Sequence, residues 1–349
     1  MTVDIRMRPG SFTIDSPIVI SEAAEHGLII GAGAALTTLT YTGNGPAIVI
    51  EPSLSSTFVG HKLSGFKLVG GGIEIDGAHH CELSELWITA DTDGKGIWLH
   101  GDCQDNHVRN VHIQNCDVGF QVGSSGDSGD GAKQTSVSQL KCNQNISNDA
   151  LLYYAQTFNW TGGLIQGVGG SPASLFDNCE SLKLDGVHVE HTDADPSLSF
   201  VTCSNATLMN CRLTQANGPR NLVAVSGCIG FHWQHNRQGV AAPDVALETT
   251  NSLVTILQTG GYQELPVSVV SGAAPQQLAV INSGGSATFA TAGTKSVSFA
   301  VAEPDANYRV VLGADANETF WVTSKTVNGF TLNSSNSSST ATVDWELRR

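Results

Sequence analysis

The sequence predicts an all-β chain in two parts. A parallel β-solenoid spans residues 1–262, and a small antiparallel β-sandwich spans 296–349, with a transition segment at 263–295. Three observations carry this. A pattern of apolar-x-apolar pairs returns about every 24 residues with no helical segment inside it, as solenoid repeats require. Thirty-eight glycines and only three methionines among 349 residues favour tight turns over helices. Beyond Gly260-Gly261 the chain changes to alternating runs separated by turn signals.

The repeat is clearest between Gly72–Asp91 (GIEIDGAHHCELSELWITAD) and Gly96–Cys116 (GIWLHGDCQDNHVRNVHIQNC). Each has an apolar pair (Ile73/Ile75, Ile97/Leu99), a glycine, a polar turn with Cys, and a second alternating segment. Those second segments are Leu83-x-x-Leu86-x-Ile88 and Val108-x-x-Val111-x-Ile113. They return as Leu184-x-x-Val187-x-Val189 and Leu208-x-x-Cys211-x-Leu213. Period-2 alternation marks strands. Three short strands per turn, stacked ~4.8 Å apart, bury one continuous apolar column. Earlier stretches fit as preceding coils: Pro9–Ile20, Gly27–Tyr41 and Ala47–Gly71. The Gly31-Ala-Gly33 turn is not a dinucleotide loop, because the third glycine is missing and a Thr-rich stretch follows. Between Gly123 and Leu164 the pattern sets no coil boundaries.

Residues 263–295 are rich in Ala, Gly, Ser, Pro and Gln, with room for short strands. Four alternating runs follow: Val297–Val301, Tyr308–Leu312, Thr319–Thr323 with Phe330–Leu332, and Ala341–Leu347. Pro304-Asp305, Asn328-Gly329 and a Ser-rich loop separate them, as in an antiparallel sandwich.

Charge and cysteine usage narrow the function. Net charge is −15, with no basic stripe visible, which argues against nucleic acid. A neutral glycan suits such a surface, whereas a polyanionic one needs a local basic patch. No apolar run approaches a membrane span and no signal peptide opens the chain, so the reading is soluble, without membrane insertion. Eight cysteines lie mid-chain without a CxxC pair, so no metal or other cofactor is expected. The intervals 81→103, 179→203 and 203→228 point to thiols recurring at one place in the repeat, packed as small apolar groups.

The motifs PGxFxIxxPIxI, IxGxG…TxL and GIxIxGxxxCxLxxLxI resemble the right-handed parallel β-helix of pectate-lyase-like proteins and phage tailspikes, over roughly residues 5–262. The resemblance implies a protein acting on polysaccharide, a homotrimer, and an extracellular or virion-tail location. The C-terminal segment resembles a small β-domain of phage tail proteins, which implies trimerisation or sugar binding.

If the apolar positions point inward, the intervening residues form outward columns. One carries Trp87, His112, His188 and Arg212; the next carries Thr89, Gln114, Glu190 and Thr214. A further column carries Glu74, Trp98 and Gln121, with Asp76 and His100 one residue beyond. Aromatic faces and forked donors are what a glycan surface needs. Hydrolysis needs two carboxylates at ~5 Å or ~6.5–9.5 Å. Glu190 at a strand end, with Asp193 and Asp195 on the following loop, is the first candidate. His188 and Arg212 fit the alternative, β-elimination from a uronate. Trp87, Trp98, His112, Gln114, Arg212 and Tyr154 are candidate substrate contacts, Tyr154 from the aromatic run Leu151–Trp160. Outward acids on a solenoid are ordinarily solvated, and aromatic runs are ordinarily core. The expectation is a tailspike-like depolymerase favouring hydrolysis. A non-catalytic glycan adhesin and a structural spike are the competing classes. Asp-Gly stretches at Asp91–Gly96 and Gly126–Gly131 read as turns, since neither completes a calcium loop. The second lies in an insertion, Gly123–Gln134, of the kind that lines solenoid binding faces.

Overall fold

The computed structural model describes residues 2–21, 26–51, 60–90, 94–167, 172–191, 196–215, 223–234, 236–238, 245–249, 254–258, 267–269, 278–282, 284–299, 306–314 and 316–348. Among them every regular element is a strand.

The strands of each coil fall on three parallel faces. The first face stacks strands such as Lys62–Ser64, Glu82–Ser84 and His107–Arg109. The second stacks Lys67–Val69, Trp87–Thr89 and His112–Gln114. The third is an eleven-stranded sheet that includes Ile73–Asp76, Lys95–His100 and Val118–Val122. The long strands Ser136–Asn143 and Asn159–Gly167 run through the first two faces and join them into one twenty-stranded sheet. This is a parallel β-helix, in the right-handed sense that parallel crossovers almost always take.

The corner between the first two faces explains the Leu-x-x-Leu spacing. One residue there adopts a left-handed conformation: Glu85 (φ 55°), Asn110 (51°), Gln139 (52°) and Asn210 (53°) on different coils. That residue turns the chain so that Leu83 and Leu86, three apart, both face the core with at most 2% exposure. Its amide bonds to the next coil, as from Glu85 to the Arg109 carbonyl at 3.1 Å. At Gly163 (φ 95°) an added Cβ would strike the Leu140 carbonyl, so the corner of that coil requires glycine.

The core is one column. Phe176 stacks on Phe200 at 4.8 Å, and Phe231 meets Phe200 edge-on at 5.2 Å. Buried asparagines close the turns: Asn106 Oδ1 accepts the Cys81 amide at 2.8 Å, and Asn236 Oδ1 the Cys211 amide at 2.7 Å. All eight cysteines are free and buried. The bridge ladder His79–Gln104–Lys133–Gln156–Glu180–Ser204–Ile229 sets their register. Cys103, Cys179, Cys203 and Cys228, each one residue before the ladder, share a stack with Ala78, Ala132 and Ala155. Cys81 lies outside it, two residues past His79 with Asn106 as counterpart, so the 81→103 interval does not mark one repeat position. Small size is what that position selects, since each of these coils places either alanine or cysteine there.

Strands Val267–Val269 and Leu278–Asn282 still pair in parallel onto the solenoid. Antiparallel pairing starts at Gly285. Gly285–Thr288, Thr342–Arg348 and Arg309–Ala314 form one three-stranded sheet; Thr294–Ser298, Gly329–Ser334 and Phe320–Thr326 form the other. They bury a second core of Phe289, Tyr308, Phe330, Leu332, Val343 and Leu347. The Tyr308 hydroxyl donates to the Gly329 carbonyl at 2.8 Å, which satisfies its polar tip inside that core. The Gly285–Thr288 strand lies within the stretch read from sequence as transition.

Candidate functional site

The second face presents two outward columns in fixed register. One reads Lys67, Trp87, His112, Lys141, Leu164, His188, Arg212. The other carries Gln114, Asn143, Gln166, Glu190 and Thr214 on consecutive coils. Trp87, His112, Gln114, His188, Glu190 and Arg212 therefore share one face, as alternation predicted. They form two groups, because Lys141–Asn143 and Leu164–Gln166 lie between the His112 and His188 coils. Trp87 stacks on His112 with centroids 5.1 Å apart, and the Lys67 ammonium lies 4.9 Å over the indole. His188 Nε2 is 3.2 Å from the Thr214 hydroxyl. Burial lowers the His188 pKa, neighbouring Arg212 lowers it further, and Glu190 opposes both. Glu190 is half-buried between Gln166 and Thr214. Asp193 and Asp195 lie outside the described residues.

The third face holds a denser cluster. Backbone register pairs Trp98 with Glu74 and Gln121, and His100 with Asp76. His100 Nε2 is 2.8 Å from Glu74 Oε1. Its Nδ1 faces Asp76 and Asp130 at 3.6 Å each. Asp130 arrives from the Gly123–Gln134 insertion and is fixed there by the Gly101 amide at 2.7 Å. Its neighbour Asp127 instead accepts the Gly129 amide at 3.0 Å and shapes the turn. The His100 ring stacks on Trp98 at 3.8 Å, and Lys95 Nζ lies 3.1 Å from the indole centroid on the same cluster. Burial lowers the Lys95 pKa, against the attraction of Glu74, Asp130 and Asp117. Trp98 Nε1 and Gln121 Nε2 both donate to the Gly123 carbonyl, at 3.2 and 2.8 Å, which locks the platform to the insertion.

The geometry has a chemical consequence. The two imidazole nitrogens face different carboxylates, so the His100 ring stands between Glu74 and the Asp76–Asp130 pair. The side chains of His100 and Asp130 are each only 14% exposed, so the charges are held in a partly desolvated site where electrostatic effects are strong.

Tyr154 lies elsewhere, half-buried at a corner with φ 54°, while Phe158 and Trp160 from the same run are fully buried core. A cleft of about 300 Å³ on the first face is lined by Glu82, His107, Arg109, Ser136 and Ser138. Burial raises the Glu82 pKa, but Lys62 and Arg109 outweigh it and lower it overall. Among the described residues no His, Cys, Asp and Glu group has metal-ligand geometry, and no helix is long and apolar enough to cross a membrane. Sequence reasoning placed Glu74, Trp98 and Gln121 in one column with Asp76 and His100 beyond it, but missed Lys95 and Asp130. The signal for Asp130 was the insertion itself; Lys95 had none beyond its place beside Trp98.

No family model and no curated protein matches the chain. Solved structures do. The A-module of the mannuronan C-5 epimerase AlgE6 of Azotobacter vinelandii is 11% identical with a TM-score of 0.45, over 79% of this chain and 92% of that one. The catalytic domain of a GH87 alpha-1,3-glucanase is 13% identical with a TM-score of 0.40, over 78% of this chain and 64% of that one. The tailspike protein gp49 of Pseudomonas phage LKA1 is 12% identical with a TM-score of 0.35, over 99% of this chain and 90% of that one. An epimerase module, a glucanase domain and a tailspike are thus the kinds of structure that this chain is similar to.

Proposed function

We propose that the chain is a polysaccharide depolymerase that cleaves glycosidic bonds by hydrolysis. The observation that supports it is the third-face cluster, an indole platform against which Glu74 and the Asp76–Asp130 pair flank one imidazole. In this reading Glu74 and Asp130 divide the roles of acid and base around an attacking water, and Trp98, packed between the His100 ring and the Lys95 ammonium, holds both in place. His100 is a positioning residue that keeps the carboxylates apart. Glu190 with Asp193 or Asp195, and Arg212, Gln114, His112 and Trp87 as contacts, form the alternative centre on the second face. A β-elimination reading is favoured there by one observation: His188 is pushed toward its neutral form beside the Arg212 cation, as a base near a uronate carboxylate would be.

The reading extends to a homotrimer exposed on a virion tail or another extracellular surface, with residues 1–262 as the acting solenoid and 296–349 as a trimerising or sugar-binding module. Its support is the sequence resemblance, and light scattering of the purified chain tests the trimer.

The deciding experiment incubates the protein with bacterial capsular and algal polysaccharides. New reducing ends and the ultraviolet absorbance of unsaturated uronates are followed together, with Glu74→Gln, Asp130→Asn and Glu190→Gln in parallel. Reducing ends without absorbance, lost in Glu74→Gln and kept in Glu190→Gln, are expected. Loss in Glu190→Gln alone moves the centre to the second face, and both signals rising together means a lyase. Binding with neither signal overturns the enzyme and leaves an adhesin.

A further inference from the structure

The basic residues of this acidic chain are not used evenly. Among the described residues of the solenoid, Lys62 and Arg109 meet Glu82, Lys133 meets Asp102, and Lys183 meets Asp185. Lys67, Lys141 and Arg212 meet no carboxylate of the described residues within ion-pair distance, and all three stand in one outward column of the second face. The column has a period between Trp87 and Arg212, beyond which Arg237 follows in register one coil on. Trp87, His112, Lys141 is an apolar group, an imidazole and a cation on successive coils, and Leu164, His188, Arg212 repeats that order. Lys67 precedes the first triplet. Lys141 and Arg212 are exposed at their tips. The neighbouring column of Gln114, Asn143, Gln166, Glu190 and Thr214 adds amides, a hydroxyl and one acid.

Cations without a carboxylate partner add little to folding: Lys67 lies over the Trp87 indole, and Lys141 and Arg212 are exposed. They are what a linear anion needs. Three coils separate Lys67 from Lys141 and Lys141 from Arg212, about 14 Å along the axis at ~4.8 Å per coil. That spacing is far wider than the ~3.4 Å per strand of nucleic-acid phosphates. The apolar and amide-rich surface between the cations suits uncharged sugar faces, by stacking and by forked hydrogen bonds. The imidazoles leave the charge pattern sparse, because burial and the adjacent Lys141 or Arg212 lower the pKa of His112 and His188.

The geometry points to the Lys67–Trp87–His112–Lys141–Leu164–His188–Arg212 column as a binding strip for a polyanionic glycan in which acidic sugars are separated by neutral ones, lying along the solenoid axis. This rests on the glycan-acting reading but on neither choice of chemistry, and it names the substrate class that the overall charge of −15 alone disfavours.

The test passes the full-length protein over immobilised gellan, in which one uronate is set among neutral sugars in each tetrasaccharide, and immobilised neutral dextran, with single-stranded DNA as competitor. Retention on gellan at 50 mM salt and none on dextran is expected. The log–log salt dependence should have a slope of about two to three for three cations, falling by about one for each cation removed. Lys141→Ser with Arg212→Ser should weaken binding at least tenfold, while Lys183→Ser, which removes a paired cation on the first face, leaves it unchanged. Equal retention on both matrices, an unaffected double variant, or displacement by DNA more readily than by soluble gellan each overturns the strip. None of those outcomes bears on whether any polysaccharide is cleaved, and a chain that binds gellan but cleaves nothing sinks the depolymerase while leaving the strip.

Discussion

Glu74 and His100 stand on successive coils of the third face, offset by two residues in register, and are joined by a 2.8 Å hydrogen bond. The diagonal matters. Direct register would have set His100 against Asp76 alone; the diagonal swings the ring so that one nitrogen takes Glu74 and the other faces Asp76 and Asp130. The same tilt lays the imidazole flat on Trp98. Removing the indole should loosen the cluster. Trp98→Ala is expected to lower kcat by about tenfold or more, because the His100 ring and the Lys95 ammonium both pack on it and lose their placement. Glu74→Gln is expected to lower kcat by about 10²–10⁴ with KM little changed, as for loss of a general acid or base. Steady-state kinetics on a cleaved polysaccharide reads both.

Phe200 is fully buried, stacked on Phe176 and capped edge-on by Phe231. A solenoid has no second layer that can collapse into a hole at its axis. Phe200→Ala is therefore expected to destabilise by about 3–5 kcal/mol, and Phe200→Leu by markedly less. Denaturant titration by circular dichroism checks the order.

The eight thiols should be silent in the folded chain. Burial raises Cys116 and Cys211 to about 12, so neither access nor thiolate is available near neutral pH. At pH 8 a disulfide-exchange reagent is expected to label none of the eight in native protein and all eight in denaturant. Rapid native labelling at any position would show that coil to be open.

The coils were legible because the corner between the first two faces writes itself into the sequence. A left-handed residue at Glu85 or Asn110 breaks the alternation by a fixed amount, and Leu83-x-x-Leu86 is the trace. The outward columns followed wherever that trace held, which is why Glu74, Trp98 and Gln121 fell in one column with Asp76 and His100 beyond it. Lys141 and Leu164 did not. They sit in two long strands that run through the corner, where Val137-x-x-Leu140-x-Cys142 keeps the spacing but the Gly123–Gln134 insertion shifts the count, and where Gly163 takes the apolar place of the next coil. Asp130 was illegible for a different reason. Its contact with His100 is made by a loop closing over the face, and loop closure has no periodicity to read.

Asn106 supplies the most local prediction of stability. It is fully buried, its Oδ1 accepts the Cys81 amide at 2.8 Å, and its Nδ2 donates to the Ala78 carbonyl at 3.3 Å. Asn106→Ala leaves two backbone groups of the neighbouring coil without partners. A loss of about 2–4 kcal/mol is expected. Asn106→Asp should be comparably harmful at neutral pH, since it keeps the acceptor but loses the donor and buries a charge. Thermal unfolding of the two variants compares them.

Asp149 makes stability depend on pH in a direction opposite to ordinary acid denaturation. It is 1% exposed, and burial pushes its pKa up to about 7, against the hydrogen bond that Asn145 Nδ2 donates to Oδ1 at 2.9 Å. In the unfolded chain an Asp titrates near ~3.9. The folded state therefore holds the proton more tightly, and the neutral carboxyl favours folding. Its contribution is fully present below pH ~4, is lost as pH rises toward about 7, and is constant above. About three units correspond to a loss on the order of 4 kcal/mol across that window. Burial also raises Asp177, in the same sense, whereas Glu82 and Asp185 are lowered and lose stability only as pH falls below the ordinary carboxylate range. Asp149→Asn replaces the ionising group with a neutral one of the same shape. It is expected to flatten the fall in Tm between pH 5 and 7 and to unfold at a higher temperature than the unaltered chain at pH 8. An unchanged slope would mean that Asp149 titrates at its ordinary value and that its burial is relieved by water.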